Sequence, residues 1–173
     1  MKNNVLFNEL YEEYKDMVYN LSLTYVQNAE DSEEITQDVF LKVYQHLNNF
    51  EKRASIKTWI YRITINKSLD FIKAQKAKKR FSFLSTLFKT DSVEIITKTS
   101  DFNHPGIQLE NKEAVEKLFY LINKLPYNQK TALVLKVMES LSQKEIAKIM
   151  KLSEKAVESL LSRAKKNLND KIK

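Results

Sequence analysis

An all-α fold is predicted by three features of this 173-residue sequence. Glycine occurs once and proline twice, too few for the tight turns that sheets need. Apolar residues recur at three- and four-residue spacing through most of the chain. Where that spacing breaks, Ser, Asn or Asp stands at the position of a helix cap. With 43% hydrophobic and 29% charged residues, the chain has enough apolar material to fold, as one domain or two small ones. It has no cysteine, which excludes a disulfide framework and thiolate metal sites and fits a reducing compartment. The start, "MKNNVLFNELYEEY", lacks the apolar run of a signal peptide. The longest apolar run, "LFYLI" from Leu118 to Ile122, is too short to span a bilayer. A cytoplasmic chain without membrane insertion is therefore expected.

The first helix is expected from about Leu6 to Val26, where Phe7, Leu10, Tyr11, Tyr14, Met17, Val18, Leu21 and Tyr25 form one apolar stripe. "QNAED" breaks it, and Asn28 or Asp31 caps the next helix. There Ile35, Val39, Phe40, Val43 and Leu47 are the buried positions, and Glu33, Glu34, Gln37 and Asp38 face the other way. "NNFEKRAS" reads as a loop. Ser55 caps a third helix, Ile56 to about Arg80, with Ile56, Ile60, Ile63, Leu69 and Ile72 on its core side. Periodicity fades from Phe81 onward, and Pro105-Gly106 fits a flexible linker. "EIITKT" within it has the composition of a short strand but no partner. Helical pattern returns at Leu109, breaks at Pro126, and resumes from about Asn128 to Met138. The chain thus divides into 1–80, a linker at 81–108, and 109–173, with no internal repeat.

The last segment, "SQKEIAKIMKLSEKAVESLLSRAKKNL", carries two helices around a short hinge. Ser142 and Glu145 stand at capping-box spacing. Ile146, Ala147 and Met150 line the first helix, and Leu152 is placed to plug the junction. Ser153 caps the second helix, whose inner face is Ala156, Val157, Leu160, Leu161 and Ala164. Ser159, Ser162, Arg163 and Lys166 fall on or near the outer side. This is the layout of a helix-turn-helix, in which the second helix enters the major groove. An ordinary helical hairpin has the same pattern, and the residues alone leave both readings open. The usual turn glycine is absent, so a non-glycine residue near Lys151 must take the strained conformation.

Charge is distributed in blocks. Residues 1–51 hold 3 basic and 10 acidic side chains, and residues 52–90 hold 11 and 1. Residues 91–140 hold 6 and 7, and residues 141–173 hold 9 and 4. Two basic blocks around a neutral one suggest two contacts with a polyanion, and the acidic block suits a basic protein surface or water. The first basic block, "SIKTWIYRITINKSLDFIKAQKAKKRF", mixes Trp59, Tyr61, Arg62, Asn66 and many lysines. Aromatic faces stack on unpaired bases, cations hold phosphates, and Asn bonds to base edges, so a single-strand site is inferred. Trp59 taken alone suits a core position as well. An enzyme finds no support: His46 and His104 are isolated, and there is no HExxH or Walker pattern. No cofactor and no metal are expected.

The order of these motifs resembles the RNA polymerase sigma factors of the extracytoplasmic function (ECF) group of the sigma-70 family, over nearly the whole chain apart from the linker. "FNELYEEYKDMVYNLSLTYVQNAEDSEEITQDVFLKVYQHLNNF" and "KTWIYRITINKSLDFIKAQKAKKR" resemble a sigma-2 domain. "HPGIQLENKEAVEKLFYLINKLPYNQKTALVLKVMESLSQKEIAKIM" leads into a sigma-4-like helix-turn-helix domain. The resemblance implies a promoter-recognition subunit, not an enzyme. Its partners would be core RNA polymerase, promoter DNA in duplex and single-stranded form, and an anti-sigma factor. It implies polymerase contact through Asp31, Glu34, Gln37 and Asp38. It implies minus-ten recognition through Phe50, Lys52, Arg53, Ser55, Trp59, Arg62 and Asn66. It implies minus-thirty-five contact through Lys155, Glu158, Ser159, Ser162 and Arg163, with Lys166 beside them. At Glu158 and Leu160 many relatives carry Lys or Arg. Glu158 either accepts from a cytosine amino group or lowers phosphate affinity. The rival reading is an autonomous helix-turn-helix regulator that binds duplex DNA unaided, with residues 1–80 as a sensor or dimerisation module.

Overall fold

The structure, a computed structural model, describes residues 2–51, 54–88 and 112–172. These residues form seven α-helices and one 3₁₀ turn, with no strand among them. Helix α1 (Lys2–Val26) begins earlier than its apolar stripe, because polar residues continue a helix once it is nucleated. Gln27 ends it in the left-handed region at φ 55, its N–H bonded to Leu23 O at 2.8 Å. Asn28, not Asp31, is the cap of α2 (Ala29–His46): its side chain accepts from Asp31 N at 2.9 Å. A 3₁₀ turn (Leu47–Asn49) leads into the loop. Ser55 Oγ then accepts from Thr58 N at 3.1 Å and starts α3 (Ile56–Phe88).

Helix α3 continues to Phe88, past the end at Arg80 that the fading periodicity suggested. Helix propensity carries it through a stretch without an apolar stripe. The rest of the expected linker, including "EIITKT", lies outside the described residues.

The second unit contains α4 (Lys112–Asn123), α5 (Tyr127–Val137), α6 (Gln143–Met150) and α7 (Glu154–Ile172). Pro126, extended at φ −55 and ψ 142, separates α4 from α5. At α6 the capping box is complete: Ser142 Oγ accepts from Glu145 N, and Glu145 Oε2 accepts from Ser142 N at 2.8 Å. Lys151 takes the left-handed turn position at φ 56 and ψ 44, as the missing glycine required. Leu152 N–H closes that turn onto Ala147 O at 2.9 Å. Ser153 Oγ accepts from Ala156 N at 3.2 Å and starts α7.

Helices α1, α2 and α3 pack around Leu10, Tyr14, Val18, Ile35, Val39, Phe40, Val43 and Ile60. Tyr11, expected in that stripe, is 40% exposed and leans edge-on against Phe40. The larger core does not stop at the unit boundary. It joins Leu21, Tyr25, Tyr61 and Ile65 to Ile122, Leu133, Leu141, Ile146, Val157 and Leu161. Leu23 on α1 packs with Phe119 on α4. Leu21 through Tyr25 are consequently buried on every side of α1, although a single stripe was expected there. Leu152 is 39% exposed, not a plug, because Ile149 fills the inner position one turn earlier.

Candidate nucleic-acid interface

Helix α7 divides cleanly. Val157, Leu161 and Ala164 are buried against α5 and α6, which leaves Lys155, Glu158, Ser159, Ser162, Arg163 and Lys166 all exposed. The residues named for duplex contact therefore share the solvent side. Arg163 folds back along the helix, with Nη2 donating to Ser159 Oγ at 3.0 Å. That bond is weak enough to exchange for a phosphate or a base edge.

On the first unit, the loop after α2 and the start of α3 enclose a cleft of about 390 Å³. Phe50 and Trp59 form one wall, with ring centroids 5.0 Å apart and planes at 36°. Lys42, His46, Arg62 and Ile63 also line it. Trp59 is half-buried, packed against the three-helix core on one side and open to the cleft on the other. The core position expected of it is thus met on one side, and the other side is left open to the cleft. The arrangement offers an aromatic wall and cations, which suits an extruded base. Ser55 is at the neighbouring mouth and is occupied in capping α3. Lys52 and Arg53 lie outside the described residues. Asn66 is exposed and stands apart from the Phe50–Trp59 cleft, in a second cleft with Arg62, Asn128, Thr131 and Lys151.

The acidic side of α2 is presented as expected for Glu34, Gln37 and Asp38, all exposed. Asp38 accepts an ion pair from Lys67 at 2.7 Å, and Asp31 accepts from Gln75 at 3.0 Å. Both bonds tie the acidic helix to the basic one. The exposed Asp38–Lys67 pair contributes little stability, so it yields readily to another partner.

Comparison with known proteins finds two family models in succession: sigma-70 region 2 over residues 10–78 and sigma-70 region 4 over residues 116–168. The chain belongs to the sigma-70 family. Curated proteins that it resembles include ECF RNA polymerase sigma-E factors. That of Haemophilus influenzae is 28% identical over 166 residues, covering 96% of this chain and 87% of that protein. That of Escherichia coli is 27% identical, with 96% and 86% covered. This chain is an ECF sigma factor. The same fold occurs in the sigma factor RpoE of Bartonella quintana, solved with the anti-sigma factor NepR. That match has a TM-score of 0.66 and 19% identity, covering 95% of this chain and 94% of that one. CnrH, solved with the cytosolic domain of CnrY, gives 0.66 and 18%, covering 96% and 86%. No helix among the described residues is long and apolar enough to cross a membrane.

The sigma factor also holds a set of polar contacts between its two units that sequence reading missed. Tyr61 OH donates to Glu139 Oε2 at 2.7 Å. Arg62 Nε donates to Ile149 O at 3.1 Å and Nη2 to Lys148 O at 2.5 Å. Tyr25 OH and Thr131 Oγ1 share a hydrogen bond of 2.7 Å. Lys130, only 3% exposed, donates to Tyr25 O at 3.2 Å and to Asn123 Oδ1, with its Nζ 4.6 Å from the Tyr25 ring centroid. Burial, then the charge of Lys76, pushes the Lys130 ammonium down to about 7. Burial likewise raises Glu139, opposed by the Tyr61 bond and by Lys57. Desolvation holds the Tyr25 and Tyr61 phenols above their usual range. The available signal was the polar run Gln129-Lys130-Thr131 at the start of α5, buried in full.

Proposed function

We propose that this sigma factor brings core RNA polymerase to promoters through three surfaces and starts transcription there. Helix α7 reads the minus-thirty-five element as duplex, using Lys155, Glu158, Ser159, Ser162, Arg163 and Lys166. Phe50, Lys52, Arg53, Ser55, Trp59, Arg62 and Asn66 take the minus-ten element as a single strand, with a base seated in the Phe50–Trp59 cleft. Asp31, Glu34, Gln37 and Asp38 meet a basic surface of the polymerase. Melting costs a few kcal/mol per unstacked step. Stacking returns about 1–3 kcal/mol per base, so polymerase contacts must supply the remainder. The chain alone therefore binds promoter DNA weakly. It works in the cytoplasm and without catalytic chemistry of its own. Control by an anti-sigma factor is part of the proposal, because the Bartonella relative was solved with one.

The observation that carries this reading is the succession of the two matched regions in one chain. The test adds purified chain to core RNA polymerase and measures initiation from promoters selected out of a random pool. Polymerase-dependent initiation at a defined two-part sequence is expected. Tight sequence-specific duplex binding without polymerase, and no stimulation with it, identifies an autonomous regulator instead.

A further inference from the structure

Lys130 is a cation buried without an acid beside it. It is 3% exposed, and its ammonium reaches neutral groups: Tyr25 O at 3.2 Å, Asn123 Oδ1 and the face of the Tyr25 ring. A buried charge is costly unless an opposite charge meets it. Burial first, and then the charge of Lys76, push this ammonium down to about 7, and no carboxylate opposes them.

Lys130 lines a cleft of about 340 Å³ between the ends of α1 and α4, the middle of α3 and the start of α5. Lys76 and Lys79 line it from α3, both of them exposed. Lys76 Nζ donates to Tyr127 OH at 3.2 Å and lies 5.5 Å from that ring centroid. Gln75 gives its amide to Asp31, and no acidic side chain among the described residues lines the cleft. Three lysines thus converge from two helices with nothing negative between them.

Tyr127 is also the first residue of α5. Pro126 holds the cap position before it, and no side chain caps the first turn. The free N–H donors and the positive end of the helix dipole both favour an anion. The buried ammonium and the uncapped helix start are independent of each other, and they favour the same charge. Val26, Phe71 and Ile72 supply an apolar wall. A cleft of this size and mixed lining suits a small molecule with a charged end and an organic body.

We propose that this cleft binds a small phosphate monoester, its phosphate among Lys76, Lys79 and Lys130 and its organic part against Phe71 and Ile72. The site is separate from the Phe50–Trp59 cleft and does not rest on the function proposed above. The bound dianion supplies the counter-charge that Lys130 lacks.

The test titrates the full-length protein at pH 8 by calorimetry with adenosine monophosphate, inorganic phosphate and adenosine. Adenosine monophosphate is expected to bind, phosphate more weakly, and adenosine not at all. Buffers of different ionisation heat should reveal proton uptake on binding, because the dianion draws Lys130 back to its charged form. Lys76, Lys79, Tyr25 and Tyr127 are the other titratable groups lining the cleft, so Lys130→Met must abolish the uptake. Lys130→Met and Lys76→Met should each weaken the nucleotide about tenfold or more, the loss of one charge-assisted hydrogen bond. Lys76 is exposed, so its variant tests the site even if the buried substitution unfolds the chain. Lys15→Met, about 15 Å along α1 from Tyr25, should change nothing. No binding of either anion, or binding that neither lysine variant weakens, overturns the site. Adenosine binding as tightly as the nucleotide, or phosphate doing so, overturns the monoester assignment. A random-sequence oligonucleotide that displaces the nucleotide, and is itself weakened by Lys130→Met, makes the cleft a contact for a nucleic-acid backbone and overturns the small-molecule reading.

Discussion

On α7 the residues assigned to DNA stand on one exposed side, and Arg163 bonds only a turn away along its own helix. On α3 the corresponding arginine is bonded across the unit boundary, and the neighbouring Asn66 looks into a seam. The two readers are similar in composition, each mixing cations with hydrogen-bonding side chains. They differ in what the rest of the chain does to them.

The seam is the place to break that difference with the largest effect. Phe119 is 2% exposed against Leu23, so Phe119→Ala should cost about 3–5 kcal/mol. In thermal unfolding that corresponds to a Tm lower by roughly 10 °C. Its neighbour Tyr120 is 59% exposed, and Tyr120→Ala should stay within about 0.5 kcal/mol. Equal effects would mean the seam does not bear on stability.

Next in size is pH. Burial holds the Lys130 ammonium near 7 in the folded protein, against its usual 10.5. The folded form therefore binds fewer protons between those values, and raising pH stabilises it there, by up to about 1.4 kcal/mol per unit. Below pH 7 the ammonium is charged folded or unfolded and this contribution is flat. Above pH 10 the phenols of Tyr25 and Tyr61, raised by burial, ionise first in the unfolded chain and reverse the trend. Glu139, also raised, destabilises the fold as pH climbs from 4.5. Lys76, Lys79 and Tyr127 face Lys130 from α3 and the start of α5. Unfolding free energy from denaturant titration should rise between pH 7 and 9, and Lys130→Met should remove the part due to this lysine.

The two readers themselves come third. Asn66→Ala should weaken promoter opening by about 1–3 kcal/mol and leave polymerase binding nearly intact. Arg163→Ala should weaken duplex contact by a similar amount, with opening of a pre-melted promoter unchanged. Equal loss of opening and polymerase binding in the first variant removes Asn66 from its role. The smallest effect belongs to Ser142→Ala, which removes the cap of α6 and should cost about 1 kcal/mol of unfolding free energy in denaturant titration.

Much of this molecule was legible before its structure. Local chemistry sets caps and faces, so Ser55, Ser142, Ser153 and the outer side of α7 fall where the sequence puts them. The choice between Asn28 and Asp31 needed geometry, because both side chains have the right chemistry. Burial that depends on a distant unit was not legible. Periodicity reports one stripe per helix, whereas Leu21 to Tyr25 are covered from two directions by segments a hundred residues apart. A lysine between Gln129 and Thr131 looks like a surface residue until Tyr25 O and Asn123 Oδ1 stand around it. Arg62 carried a DNA assignment in the sequence, and its bond to α6 depends on a turn shape that no motif states. Tyr11 and Leu152 failed in the opposite sense: spacing placed them inside, and no neighbour covers them fully.

The bond between Tyr25 and Thr131 joins residues 106 positions apart. At a ribosomal pace of about 5–20 residues per second, roughly 5–20 seconds pass between the emergence of these two side chains. For that interval every newborn copy presents the far side of α1 bare, before its own second half has been made to cover it. A young molecule is thus briefly more open to capture than any finished one.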